Sequence, residues 1–139
     1  MNKLALFDCD GTLVDSQHSI IQCMDAAFVR AGLAPPARAA TRQIVGLSLV
    51  SAMQALLPDA PPALHIQLAD DYKTAFQTMR AKGEVDEPLF DGIVASLDAL
   101  EAAGWLLGVA TGKSDRGLAH ILAAHDIGDR FITLQTADR

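Results

Sequence analysis

KLALFDCDGTLVDS, residues 3–16, is the stretch on which the reading of this chain turns. The run KLALF (3–7) is short and mostly apolar, the pattern of a buried strand. Side chains alternate along an extended backbone, so Asp8 and Asp10 share one side while Cys9 takes the other. Two carboxylates on one side of a strand end repel each other. The arrangement persists only if a cation sits between them or one keeps its proton. Either condition points to chemistry at this strand end.

Beyond that strand the pattern turns helical. Ile20, Met24, Ala27, Phe28 and Ala31 recur at helical spacing, with Asp15 or Ser16 as the expected N-cap and Gly32 as the stop. APPAR (34–38) is a break, and TRQIV is a short helical piece before Gly46. Leu49, Met53, Leu56 and Leu57 form a stripe ending at Pro58. After PDAPP, Leu64, Leu68, Tyr72, Ala75, Phe76 and Met79 mark a longer helix running to about Gly83. Past the polar link EVDEPLFDG (84–92), Ile93, Leu97 and Leu100 give a helix ending near Gly104. WLLGVAT (105–111) reads as a second strand, TGKSDRG as a loop, 114–126 as a helix and FITLQT (131–136) as a third strand. Strands alternating with helices imply an α/β fold with a parallel sheet, whose sites lie at the carboxyl ends of strands. Asp8 and Thr111 each occupy that place.

Composition bounds the function. A chain of 139 residues, half of them hydrophobic and a fifth charged, can bury an ordinary globular core. A formal net charge of −6 argues against nucleic acid or an anionic membrane as partner, since both need clustered Lys and Arg. Two cysteines, Cys9 and Cys23, without a CxxC motif make a reduced, cytoplasmic setting the default. Cys9 reads as a small buried hydrophobe. No signal-peptide pattern and no run of about 18 apolar residues occurs, so a soluble protein is expected.

DCDGTLVDS resembles the first motif of the haloacid dehalogenase-like superfamily of phosphohydrolases, and VATGKS (109–114) resembles its second. RQIVGLSL, PLFDGI and LGVATGKSDRGL are similar to the phosphoglycolate phosphatase-like branch. The nine-residue motif is specific, TGK alone is weak, and the resemblance covers essentially the whole chain. It implies a Rossmann-like core from residues 1–15 and 88–139, with a helical cap domain, 16–87, inserted after the first strand.

The resemblance further implies a Mg²⁺-dependent phosphatase for small phosphorylated metabolites. Phosphate monoesters are dianions, and Mg²⁺ held by hard oxygen ligands offsets their repulsion of an acidic nucleophile. Asp8 would attack phosphorus and form an aspartyl-phosphate. Asp10 would protonate the departing alkoxide and later deprotonate water. The resemblance also makes Asp8 and Asp10, the latter through its backbone carbonyl, the expected metal ligands. Gly11 permits a turn that aims backbone N–H groups at phosphoryl oxygens, and Thr12 binds phosphate or pins that turn. Thr111, Gly112 and the start of the 114–126 helix would donate further hydrogen bonds. Lys113 is a candidate substrate contact, although an exposed loop lysine is the simpler expectation. His18, at the entrance of the insert, is another candidate contact. His65, His120 and His125 lie on helical faces without a metal-ligand pattern. Substrate choice would fall to Arg42, Gly46 and their neighbours in the insert.

The family also carries a third-motif lysine after the 131–136 strand and a fourth-motif acidic pair after a further strand. The last lysine here is Lys113 and the last acid Asp138. The chain therefore reads as the N-terminal part of such a core, inactive alone. In the family's sheet the first strand is central. With one neighbour missing, KLALF is expected to pair on one side only, against 106–110, leaving an apolar edge open to self-association. Two rivals remain: a sugar phosphomutase of the same branch, sharing Asp8 and Asp10, and a non-catalytic binding or regulatory module. Dehalogenation is disfavoured, since a departing halide needs no proton from Asp10.

Overall fold

The computed structural model describes residues 2–139. These divide into two compact units, one made of 2–15 with 88–139 and the other of 16–87.

The first unit is built on a parallel sheet. Its strands β1 (Lys3–Phe7), β2 (Trp105–Ala110) and β3 (Phe131–Gln135) lie in the order β1-β2-β3. Helix α5 (Ile93–Ala102) precedes β2, and α6 (Asp115–Ala124) leads towards β3. The chain steps across the sheet in one direction. Right-handed crossovers taken in one direction place their helices on one face. Accordingly Leu97 of α5 and Leu118, Ile121 and Leu122 of α6 share a single core with Leu107, Val109 and Phe131, with Ala5 and Phe7 packed against it. Cys9, Leu13 and Val14 close this core at the end of β1.

The other face is bare among the described residues. Leu4, Leu6, Leu106 and Ile132 alternate with or adjoin the core positions and are 46, 56, 39 and 62% exposed. Gly108 sits on this face between Leu6 and Thr133, and a Cβ there would lie 2.8 Å from a methyl group of each. Among the described residues strand β1 pairs only with β2, as expected, but against 105–109 rather than 106–110. The shift of one residue arises because β2 starts at Trp105, directly after Gly104 turns the chain at φ +88°.

The second unit is helical: α1 (Gln17–Arg30), α2 (Arg38–Gln43), α3 (Leu49–Leu56) and α4 (Pro62–Ala81). Met24, Ala27 and Phe28 of α1 pack with Ala52 and Met53 of α3 and Leu68, Ala69 and Tyr72 of α4. Helix α1 stops where expected. Gly32, at φ +76°, lets Leu33 N–H reach the Phe28 carbonyl at 2.9 Å, satisfying an end carbonyl. The expected cap at Ser16 is not made. Ser16 holds the N-cap position, but its hydroxyl donates to Glu87 Oε2 at 3.1 Å. Glu87 also accepts from Arg80 at 3.3 Å, and buried Ser19 exchanges two hydrogen bonds with the Asp86 backbone. These bonds clasp the entry and exit of the helical unit together. Helix α2 starts three residues before the expected TRQIV piece, because the chain is free to wind once past Pro36. Helix α4 opens on Pro62, whose missing N–H costs nothing in a first turn.

Candidate active site

The sheet register sets the geometry. Phe7 pairs with Val109, so Asp8 and Thr111 emerge from neighbouring strand ends. Cys9 turns inward and is fully buried, which leaves Asp8 and Asp10 half-buried on the site side. The turn that follows is tight. The Cys9 carbonyl accepts from the N–H groups of Thr12, Leu13 and Val14 at 2.9–3.2 Å, and Gly11 N–H donates to the Val14 carbonyl at 2.9 Å. Gly11 holds φ +80°, a left-handed conformation that a side chain would resist. The amides of Gly11 and Thr12 are thus committed to the turn itself. Asp8 Oδ1 accepts from Cys9 N–H at 2.6 Å, which orients its carboxylate.

The loop after β2 is pinned from both ends. Thr111 N–H donates to the Gln135 carbonyl at 2.9 Å, and Ala137 N–H donates to the Lys113 carbonyl at 3.0 Å. The Thr111 hydroxyl accepts from Lys113 N–H at 3.1 Å and keeps its own proton to donate. Gly112 lies between them, half-buried.

Lys113 departs from the simpler expectation. Its side chain is 10% exposed, and its Nζ lies 3.3 and 3.4 Å from the two carboxylate oxygens of Asp10, itself 13% exposed. An ammonium therefore stands beside the paired aspartates.

The start of α6 also differs from expectation. Two of its first-turn amides are already taken: Gly117 N–H donates to Ser114 Oγ at 3.1 Å, and Asp115 N–H to Asp138 Oδ2 at 2.8 Å. A carboxylate of the chain itself thus meets the positive end of the helix. Asp115 in turn accepts from the hydroxyl of buried Thr136 at 2.7 Å and from Arg139 at 3.0 Å. The Thr136 hydrogen bond, against partial desolvation and aided by Arg139, holds the Asp115 carboxyl below its ordinary range. Ser114, a serine directly before a helix, carries the sequence signal of an N-cap and is one.

Among the described residues no group of three His, Cys, Asp or Glu is gathered as a metal centre. Asp8 and Asp10 are oxygen donors of the kind Mg²⁺ takes, and Mg²⁺ commonly uses one or two carboxylates together with waters and substrate oxygens. The pair fits part of such a shell. His65 is no ligand: it is buried, with Nε2 2.6 Å from the Leu57 carbonyl. His18, Arg42 and Gly46 are exposed on the helical unit. No helix of the described residues is long and apolar enough to cross a membrane.

Comparison with known proteins fits this fold and this motif. The chain belongs to the haloacid dehalogenase-like hydrolases, whose family model matches residues 5–139. It is 30% identical over 113 residues to a phosphoglycolate phosphatase of Xylella fastidiosa, a match covering 81% of this chain and 48% of that one. A phosphoglycolate phosphatase of Agrobacterium fabrum is 30% identical over 143 residues, covering 94% and 60%. Relatives with other names include a 5'-nucleotidase of Pseudomonas aeruginosa at 33% identity and a tyrosine-protein kinase of Mycobacterium tuberculosis at 31%. Among solved structures, a predicted phosphatase from Clostridium acetobutylicum superposes with a TM-score of 0.85 at 24% identity, covering 98% of this chain and 61% of that one. A hydrolase from Pseudomonas syringae gives 0.80 at 19%, covering 99% and 62%. The chain spans about half to three fifths of the length of the phosphoglycolate phosphatases it matches.

Proposed function

We propose that these residues form the nucleophile-bearing part of a Mg²⁺-dependent phosphatase acting on small phosphate monoesters. The observation that carries this reading is the convergence of Asp8, Asp10, Thr111 and Lys113 at adjacent ends of β1 and β2. A carboxylate oxygen of Asp8 attacks phosphorus, the bond to the leaving oxygen breaks, and Asp10 gives that oxygen a proton. Water then attacks the aspartyl-phosphate, Asp10 takes the proton back, and Asp8 is released with inorganic phosphate. Lys113 and the Thr111 hydroxyl bind and orient the phosphoryl oxygens, while the turn at Gly11 and Thr12 holds the two aspartates in place. Asp8 and the backbone carbonyl of Asp10 would hold Mg²⁺, which would offset the negative charge of the phosphate.

The third-motif lysine and the later acids of the family do not occur within the 139 residues. This supports the view that the chain alone turns over little and that a longer chain completes the site. In the same reading, residues 16–87 act as the substrate-selecting cap, and Cys9 and Cys23, both buried and outside any disulfide, suit a cytoplasmic setting. The names of the relatives make phosphoglycolate the first substrate to try and nucleoside 5'-monophosphates the second. A phosphatase screen tests the proposal, run on this chain fused to the part of the Agrobacterium relative that lies beyond the match. Mg²⁺-dependent release of phosphate, abolished by Asp8→Asn, is the expected result.

A further inference from the structure

Glycine is a poor helix residue, yet α6 carries Gly117 in its first turn. Its backbone is not left-handed, so conformation does not demand glycine there. Space does. A Cβ at residue 117 would lie 2.9 Å from Cε and 3.1 Å from Cγ of Lys113, and 3.3 Å from Ser114 Oγ. The stem of Lys113 crosses the first turn of α6 at the point where Gly117 has only a hydrogen, and the ammonium emerges beside Asp10.

We propose that Gly117 is a positioning residue that seats the Lys113 side chain and so fixes a cation against Asp10. A lysine stem has many rotamers, and holding its head at one carboxylate costs entropy unless packing restricts them. Gly117 leaves open the space over the first turn of α6 in which that stem packs. The pair also answers the charge problem of the DxD motif, since the ammonium offsets one of the two facing carboxylates. Its meaning for catalysis rests on the phosphatase reading; the seating itself does not.

The test is a double-mutant cycle on the stability of the 139-residue chain, pairing Asp10→Asn with Lys113→Met in two backgrounds, wild type and Gly117→Ala. Alanine favours helix and asks the Ser114 oxygen to give by only a few tenths of an ångström, so the background should fold. In wild type the coupling between residues 10 and 113 should be about tenfold in the unfolding constant, as for hydrogen bonds between charged groups. In Gly117→Ala it should fall to near unity. Equal coupling in both backgrounds, or none in wild type, overturns the assignment. If a variant of the cycle does not fold, the Lys113 ammonium resonance decides by NMR. A slowly exchanging signal present in wild type and lost in Gly117→Ala supports the seat, and one retained in both refutes it. Neither readout needs turnover, so loss of the phosphatase reading and loss of the Gly117 role are separate results.

Discussion

Lys113 Nζ stands 3.3 Å from Asp10 Oδ1, across 103 residues of sequence, with both side chains almost out of solvent. This contact settles how two aspartates coexist at the end of β1: a cation of the chain itself lies against one of them. A bound divalent ion would serve the same electrostatic need, which makes lysine and metal partly interchangeable for stability.

Lys113→Met should therefore destabilise the chain by about 1–3 kcal/mol, the cost of taking a charged hydrogen-bond partner from a largely buried carboxylate. Millimolar Mg²⁺ should raise the Tm of this variant more than that of wild type, because the metal replaces the lost cation. Thermal unfolding with and without Mg²⁺ measures both effects. Equal shifts in the two proteins would contradict the shared role.

Asp10→Asn should separate acid catalysis from metal binding in the completed fusion. Without a proton to give, turnover of substrates with poor alkoxide leaving groups should drop about 10²–10⁴-fold, and activated aryl phosphates should lose much less. Steady-state rates across a leaving-group series provide the check. A uniform loss would confine Asp10 to the metal or the fold.

The uncovered face and edge of the sheet expose apolar side chains, so its behaviour in solution is predictable. Leu6 and Ile132 are 56 and 62% exposed on a face that α5 and α6 do not cover, beside the unpaired edge of β1. Concentration-dependent association is expected in sedimentation velocity, and Leu6→Lys with Ile132→Lys should reduce it without unfolding the protein. Unchanged association in the double variant would move the contact elsewhere.

Asp115 supplies a pH-dependent element. Its carboxyl is held below the ordinary 3.8, chiefly by the Thr136 hydroxyl and further by Arg139. A lowered value in the folded state means stability that is present above the ordinary value and lost as pH falls through the lowered one. Thr136→Val should move the Asp115 titration upward, towards the ordinary value, as followed by carboxyl NMR. An unmoved titration would assign the shift to Arg139 instead.

The parts that were legible in sequence are those with local causes. Short apolar runs marked β1 and β2, the second opening directly after Gly104, and the Asp8 and Thr111 positions followed from where those runs end. The single pairing of β1 was also foreseen, apart from one residue of register. What escaped depends on distant partners. Nothing near Ser16 and Ser19 announces Asp86 and Glu87, some 70 residues away, so helix capping was the reasonable expectation. Lys113 has a flexible stem whose destination is set by the space at Gly117 rather than by any neighbour in sequence. The α6 amides were expected to face phosphate, but the fold returns Asp138 to one of them.

The central claim is covalent catalysis by Asp8, and trapping the intermediate tests it most directly. The completed fusion, mixed with a radiolabelled phosphate monoester and Mg²⁺ and quenched in acid during turnover, should carry label on the peptide containing residue 8. That label should be released by hydroxylamine, as an acyl phosphate is, and should be absent from Asp8→Asn. Sustained turnover by Asp8→Asn, or label on any other residue, would contradict the account.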